Sequence, residues 1–452
     1  MRFLISVAAV AMMAPSALGD TLGDALTNAY EHNPTLAAAR LSARSTDEQR
    51  AQARANYLPS IDVEGSYGVR DSETNGVANQ DIEPASASIV ASQALYTGGF
   101  RSSQGRLARA NVEASREALR QTEQDVLLSV IAAYVGVRRD EEVVRIREAN
   151  VEVLTRQEEE SRARFEVGDI TRTDVAQSGA RLAGAQSGLL QARADLESSR
   201  ASYTQLVGKA PDALEAPPPP PDIPRTLDEA VDQALALNPN LRQAQQGQRA
   251  ARAQTGIERS ALLPQLAVVA RADRADEASL PGVETESTSA AAQLTIPLFE
   301  GGYARSRVRQ SRINEQRAEQ LTEEARRAVV ARVTSSWNDY LAAQRVVESS
   351  RTQLQANELA YEGVEAERSV GLRTTLDVLN AQQELLDSRL LLVTAERDSY
   401  IAQHSLLQTI GRLDGAVLAV NAPLYDPAEH GRAVNRTLLS TEPADIPLRG
   451  RE

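Results

Sequence analysis

The chain of 452 residues contains no cysteine. That excludes disulfides, thiolate metal sites and a lipid-modified N-terminal cysteine, so any contact with a membrane is made without that anchor. Aromatic residues are scarce at 4%, with a single tryptophan, Trp337, a composition unlike that of an aromatic-rich globular core. The histidines, His32, His404 and His430, are scattered and lack metal-ligand spacing. No cofactor is expected. Phosphate loops, nucleophile elbows and metal motifs are all missing, and the paired Thr-x-x-Asp acids stand at helix starts, so no enzyme is expected either. Beyond residue 19, no run approaches the roughly 18 consecutive apolar residues of a membrane-spanning helix.

Residues 1 to 19 have the pattern of a secretory signal peptide. Arg2 is followed by an apolar run from Phe3 to Met13 and by the small-residue cleavage pattern Ala17-Leu18-Gly19. The formal charge of the whole chain is −13. Loss of Arg2 makes the exported chain more acidic still, which argues against a nucleic-acid partner.

What the sequence does contain, it contains twice. Thr21-Leu22, Ala25, Asn33-Pro34 and Leu58-Pro59 recur as Thr226-Leu227, Ala230, Asn238-Pro239 and Leu263-Pro264, always 205 positions on. Further along, Leu95-Tyr96-Thr97-Gly98-Gly99 returns as Leu298-Phe299-Glu300-Gly301-Gly302, and Val167-Gly168 with Asp174-Val175 as Val370-Gly371 with Asp377-Val378, now 203 positions on. A period this long marks a duplicated, domain-sized element. The first repeat spans residues 20–208, the second 226–411. Between them, residues 209–225, with Pro217 to Pro221, form a stiff polyproline linker. Residues 412–452 form a C-terminal segment that ends in a mobile tail rich in Pro, Arg, Glu and Thr.

Each repeat opens with two helices separated by Asn-Pro, because proline disfavours helical geometry in the residue before it. After Leu58-Pro59 and Leu263-Pro264 the period changes to two. Ile61, Val63, Tyr67 and Val69 alternate with polar residues, as do Leu266, Val268, Ala270 and Ala272. Polar stretches at 71–84 and 274–286 separate these from second alternating runs, giving β-hairpins at about 60–95 and 265–298. Helical pattern without an internal proline then runs over about 100–167 and 303–370, on the order of 100 Å of helix in each case. No ordinary globular domain needs a helix that long. Past Gly168 and Gly371 come return helices at 172–207 and 375–410. Apolar residues such as Val308, Val329, Val333 and Trp337 keep a coiled-coil spacing.

Strands with one apolar face cannot stand alone in a bilayer, because open edges leave backbone groups unsatisfied. Such a chain must complete its barrel with other copies. Two copies would reach the smallest common barrel of eight strands; a water-filled pore favours more, so three copies and twelve strands are preferred. The alternative is a soluble periplasmic coiled-coil scaffold or adaptor without a pore, but such a scaffold has no need of paired strands twice.

The duplicated plan, with Val370-Gly371-Leu372-Arg373-Thr374-Thr375-Leu376-Asp377-Val378-Leu379-Asn380 at the second helical turn, resembles the TolC family of outer-membrane channels over about residues 20 to 427. The resemblance implies a mixed α+β membrane protein. Three chains would form a 12-stranded transmembrane β-barrel surrounded by outer-membrane lipid and continued by a long α-helical coiled-coil tunnel in the periplasm. It also implies a passive exit duct for type I protein secretion or multidrug efflux. Its partners would be a periplasmic adaptor (membrane fusion) protein and an inner-membrane ABC, RND or MFS translocase. By position, Asp377 would be the constriction acid, Arg373 the linking base, and Thr173 and Asp174 its partners. Asn380 stands where the family pattern has a second acid, and Arg368 where it has a tyrosine, so an Arg368 to Asp174 ion pair is expected. Val370, Gly371 and Leu372 match the adaptor-docking tip, whereas Val167 and Gly168 are followed by Asp169, which departs from it.

Overall fold

A computed structural model describes residues 20–74, 77–278, 282–434 and 440–443. The leader at 1–19 and the tail residues 435–439 and 444–452 lie outside the described residues. The chain divides into two compact units. One comprises Met1–Pro34, Glu123–Ala230 and Val333–Pro423; the other comprises Thr35–Thr122, Val231–Arg332 and Leu424–Glu452.

The first repeat supplies α1 (Leu22–His32), α2 (Pro34–Ala55), β1 (Ser60–Tyr67), β2 (Arg70–Thr74), β3 (Val77–Ile82), β4 (Ala85–Tyr96), α3 (Phe100–Glu166) and α4 (Arg172–Val207). The second supplies α5 (Leu227–Leu237), α6 (Pro239–Ser260), β5 (Gln265–Asp276), β6 (Glu284–Thr295), α7 (Tyr303–Ser369) and α8 (Thr375–Ile410), and a short α9 (Pro427–Val434) follows. Helices α3 and α7 are 67 residues each. Among the described residues, no helix is long and apolar enough to cross a membrane.

In the first unit, α1 buries Leu22, Ala25, Leu26 and Ala29, one face of a helical period. They join Leu127, Ile131 and Tyr134 of α3, Tyr203 of α4 and Leu407 of α8 in one core. Asn33 at the end of α1 donates from its amide to the Leu206 carbonyl at 3.0 Å. The linker is fixed to this unit: the Tyr134 hydroxyl lies 2.8 Å from the Glu215 carbonyl, and the Tyr400 hydroxyl donates to Pro218 at 3.0 Å. A buried tyrosine needs such an acceptor. Polyproline carbonyls, free of internal hydrogen bonds, provide it.

In the second unit lies an antiparallel sheet in the order β1-β4-β5-β6. Its register aligns the alternation of the two repeats. Ile61 faces Ala91, Ala91 faces Ala270 and Ala270 faces Ala290; the next row is Val63, Ile89, Ala272 and Thr288. The opposite face carries Glu64, Ser88, Asp273 and Ser287 in one row. Ile61, Val63, Ile89 and Leu294 are exposed. Only β4 and β5 are paired on both sides; among the described residues, β1 and β6 each keep one open edge.

The polar connections expected at 71–84 and 274–286 are shorter than that. Strands β2 and β3 form their own two-stranded hairpin within the first. In the second, β5 continues to Asp276 and β6 begins at Glu284, where Arg274 pairs with Glu286 at 3.4 Å and also contacts Glu284. Charged residues continue a strand when they pair across it.

The second unit also holds the C-terminal helix. His430 of α9 is buried 3.5 Å from Asp47 of α2, which lies 3.6 Å from Arg116 of α3. Burial outweighs the nearby arginine charge, Arg116 foremost, and raises the Asp47 carboxyl above its ordinary value. Tyr425 receives a hydrogen bond from Arg44 at 3.1 Å. Lack of metal-ligand spacing gives His430 no role in the sequence; its partner Asp47 lies far away along the chain.

Candidate functional site at the helical turns

Both helical turns belong to the first unit and share one backbone design. Gly168 and Gly371 close α3 and α7 at φ +80° and +79°, a left-handed geometry that side chains disfavour. The Gly168 N–H bonds to Phe165 and that of Asp169 to Arg164, both at 2.9 Å; Gly371 and Leu372 repeat this toward Arg368 and Glu367 at 3.0 and 2.9 Å. Three residues later each chain segment enters its return helix through a capping box. The Asp174 N–H donates to the Thr171 hydroxyl at 3.3 Å, and Thr171 donates back to the Asp174 carboxylate from its backbone N–H at 2.9 Å. Thr374 and Asp377 do the same at 3.2 and 2.9 Å. These backbone N–H bonds, followed by the threonine hydroxyls, hold both carboxyls below the ordinary aspartate range. Both acids therefore stay charged at neutral pH.

Side chains distinguish the turns. At the first, Arg164 donates to Asp169 at 2.7 Å and lies 3.8 Å from Glu160. At the second, Arg373 donates to Glu367 at 2.7 Å. Val370 and Leu372 project with 69% and 75% exposure, and Val167 projects with 81%, so the second tip carries two apolar side chains and the first carries one beside an acid.

Within the chain, the expected partners of the two arginines are replaced. Arg368 grips Glu160 with both terminal nitrogens, at 2.9 and 3.4 Å, joining α7 to α3. It does not pair with Asp174, whose carboxylate is occupied by the cap. Likewise Arg373 is turned back onto Glu367, and Thr173 is exposed on the first turn of α4. Asn380 accepts a hydrogen bond at 3.0 Å from Arg181 of α4. Glu160, Glu367 and Arg181 were missed by sequence reasoning. For Glu160, the i,i+4 spacing to Arg164 was the available signal.

A sequence profile of the outer membrane efflux proteins matches residues 25–209 and 230–412, once in each repeat. The chain belongs to that family. Outer membrane efflux protein BepC of Brucella suis biovar 1 is 34% identical over 422 residues, covering 93% of this chain and 91% of the relative. Outer membrane protein TolC of Escherichia coli K12 is 26% identical over 419 residues, 87% of this chain and 83% of the relative. The crystal structure of the Campylobacter jejuni CmeC outer membrane channel shares the fold, with a TM-score of 0.78 at 13% identity, over 93% of this chain and 90% of that one. As an outer membrane efflux protein, the chain is an export channel of the outer membrane. The pore-free scaffold weighed from the sequence is thereby set aside, and the family is one of transport channels, not an enzyme class.

Proposed function

We propose that three copies join their sheets into one closed twelve-stranded barrel, and their helices into a periplasmic tunnel that passively conducts exported cargo. The observation that carries this reading is the four-stranded sheet, half from each repeat, with one apolar exposed face and open edges on β1 and β6. In hydrocarbon those edges leave N–H and C=O groups unsatisfied, each costing several kcal/mol. Closure by identical copies removes the cost. The apolar rows face lipid, and the rows bearing Glu64 and Asp273 face the lumen.

In this reading the helical turns are the periplasmic entrance. Asp377 forms a threefold ring of carboxylates, with Asn380 one helical turn further along. Arg373 and Arg368 serve as links that open when the entrance dilates, and Thr173 and Asp174 are the neighbouring chain's partners in the dilating set. Val370, Gly371 and Leu372, with Val167 and Gly168, dock a periplasmic adaptor, and an ABC, RND or MFS translocase in the inner membrane supplies the energy. Native mass spectrometry of the detergent-purified chain tests the assembly. Three copies per particle are expected; a folded monomer or dimer as the sole species would contradict it.

A further inference from the structure

Within the second unit, α3, α6 and α7 enclose a cleft of about 710 Å³. Six arginines line it, Arg106, Arg109, Arg249, Arg252, Arg259 and Arg312, against two acids, Glu113 and Glu315. Those acids are already engaged: Glu113 lies 3.0 Å from Arg116 and 3.6 Å from Arg50, and Glu315 lies 4.0 Å from Arg252. Among the described residues, no carboxylate comes within ion-pair distance of the other five arginines. The contrast with their surroundings is sharp, because Arg307, a few residues away on α7, holds Glu258 with two bonds of 2.7 and 2.8 Å. A chain with a formal charge of −13 thus gathers unpaired positive charge in one concavity, where like charges repel.

The cleft is shaped by a missing side chain. A Cβ on Gly256 of α6 would stand 2.5 Å from the Ser103 hydroxyl and 3.5 Å from the Arg106 guanidinium, so the close approach of α3 depends on that glycine. Arg106, donating to the Ser103 hydroxyl at 2.8 Å, is thereby held over α6. A second cleft of about 650 Å³ shares Arg106 and Arg109 and adds Arg50 and Arg54. Several planar guanidinium forks around one cavity suit a tetrahedral oxyanion, which accepts paired N–H bonds from each.

We propose that this cleft is a binding site for a phosphate-bearing ligand, filled in the membrane by the phosphodiester headgroup of a lipid of the periplasmic leaflet. The position favours that source. Arg259 is the penultimate residue of α6, just before β5, and α3 begins four residues after β4 ends. Exposed Leu298 and Phe299 lie on the segment between β6 and α7. Basic pockets at the membrane boundary attract anionic headgroups. The headgroup assignment rests on the sheet being the membrane-spanning part, as proposed above; the phosphate chemistry of the cleft does not.

The test uses the full chain in nonionic detergent. Retained phosphatidylglycerol is counted by native mass spectrometry, with diacylglycerol as the phosphate-free control, and inorganic pyrophosphate is titrated calorimetrically as a probe without acyl chains. The expected result is phosphatidylglycerol retention without diacylglycerol retention. Binding should be at least tenfold weaker in a variant carrying Arg109→Gln, Arg259→Gln and Arg312→Gln, and severalfold weaker in Arg109→Gln alone should the triple variant not fold. Displacement of the lipid by pyrophosphate would extend the site to free phosphate; lipid retention that pyrophosphate leaves untouched would confine it to headgroups. Phosphatidylglycerol and pyrophosphate both failing to bind the native protein, or binding the folded glutamine variants as tightly as the native chain, would overturn the proposal. Conductance is read on the same samples, so a protein that binds pyrophosphate but never conducts would count against the pore and leave the site standing.

Discussion

The first and second helical turns start from the same backbone and end with different surfaces. Each closes on a left-handed glycine and reopens through a Thr-Asp capping box, with nearly the same distances. At the third residue of the turn, the first repeat places Asp169, tied back to Arg164, and the second places Leu372, exposed beside Val370. Duplication preserved what the fold requires, a reversal between two long helices. It left free the side chains that no hydrogen bond of the reversal uses, and there the copies diverged toward a charged tip and an apolar one.

If the apolar tip is the docking surface, exchanging the two residues has unequal effects. Leu372→Asp is expected to lower export to the level of cells lacking the protein, read by growth in the presence of an exported toxic compound, while Asp169→Leu leaves export within about twofold. Equal losses at matched protein levels would erase the distinction between the tips. Next in size, Gly371→Ala and Gly168→Ala should each cost about 1 to 2 kcal/mol of local stability, the penalty for an L residue in left-handed geometry. Limited proteolysis would show faster cleavage at whichever turn is altered; the shared backbone requires similar acceleration at both.

A smaller effect is expected from Arg373→Ser, which frees Glu367 and removes the proposed link. Single-channel conductance should rise severalfold, whereas Arg164→Ser at the first turn should change it little. Unchanged conductance in a well-folded Arg373→Ser assembly would count against the link. The smallest effect is a pH dependence that should be nearly flat. A carboxyl held below its ordinary value in the folded state binds fewer protons than in the unfolded chain. The capping contribution of Asp174 and Asp377 is therefore complete above the ordinary value of 3.8 and is lost only as pH falls through the depressed one. Block of the entrance by a trivalent cation should accordingly hold steady from pH 8 to pH 5. Relief of block within that window would show that Asp377 is not the blocking acid.

How much of this was legible beforehand depends on the distance over which each feature is encoded. Helix starts at the return helices are written locally in Thr171 with Asp174 and Thr374 with Asp377, because the threonine and aspartate bond each other three residues apart. Glycine and proline punctuate the helix ends in the same local way. The strands were visible through alternation, but their ends were misjudged where Arg274 and Glu284 extend a ladder with charged residues usually found in connections. Pairings across the fold left no comparable signal. Arg368 with Glu160, Arg181 with Asn380 and His430 with Asp47 each join residues about two hundred or more positions apart, and a single sequence carries no record of which helices become neighbours. The resemblance pointed to Arg368 and Arg373, yet it could not foresee that Glu160 and Glu367 occupy both arginines within one chain.

The pore itself is the central claim, and planar-bilayer conductance of the purified assembly tests it most directly. The expected result is discrete channels from the native protein, blocked by a trivalent cation added on the side of the helical turns, with block relieved in Asp377→Ala. Folded native and Asp377→Ala assemblies that both insert into the bilayer and pass no current would contradict the account.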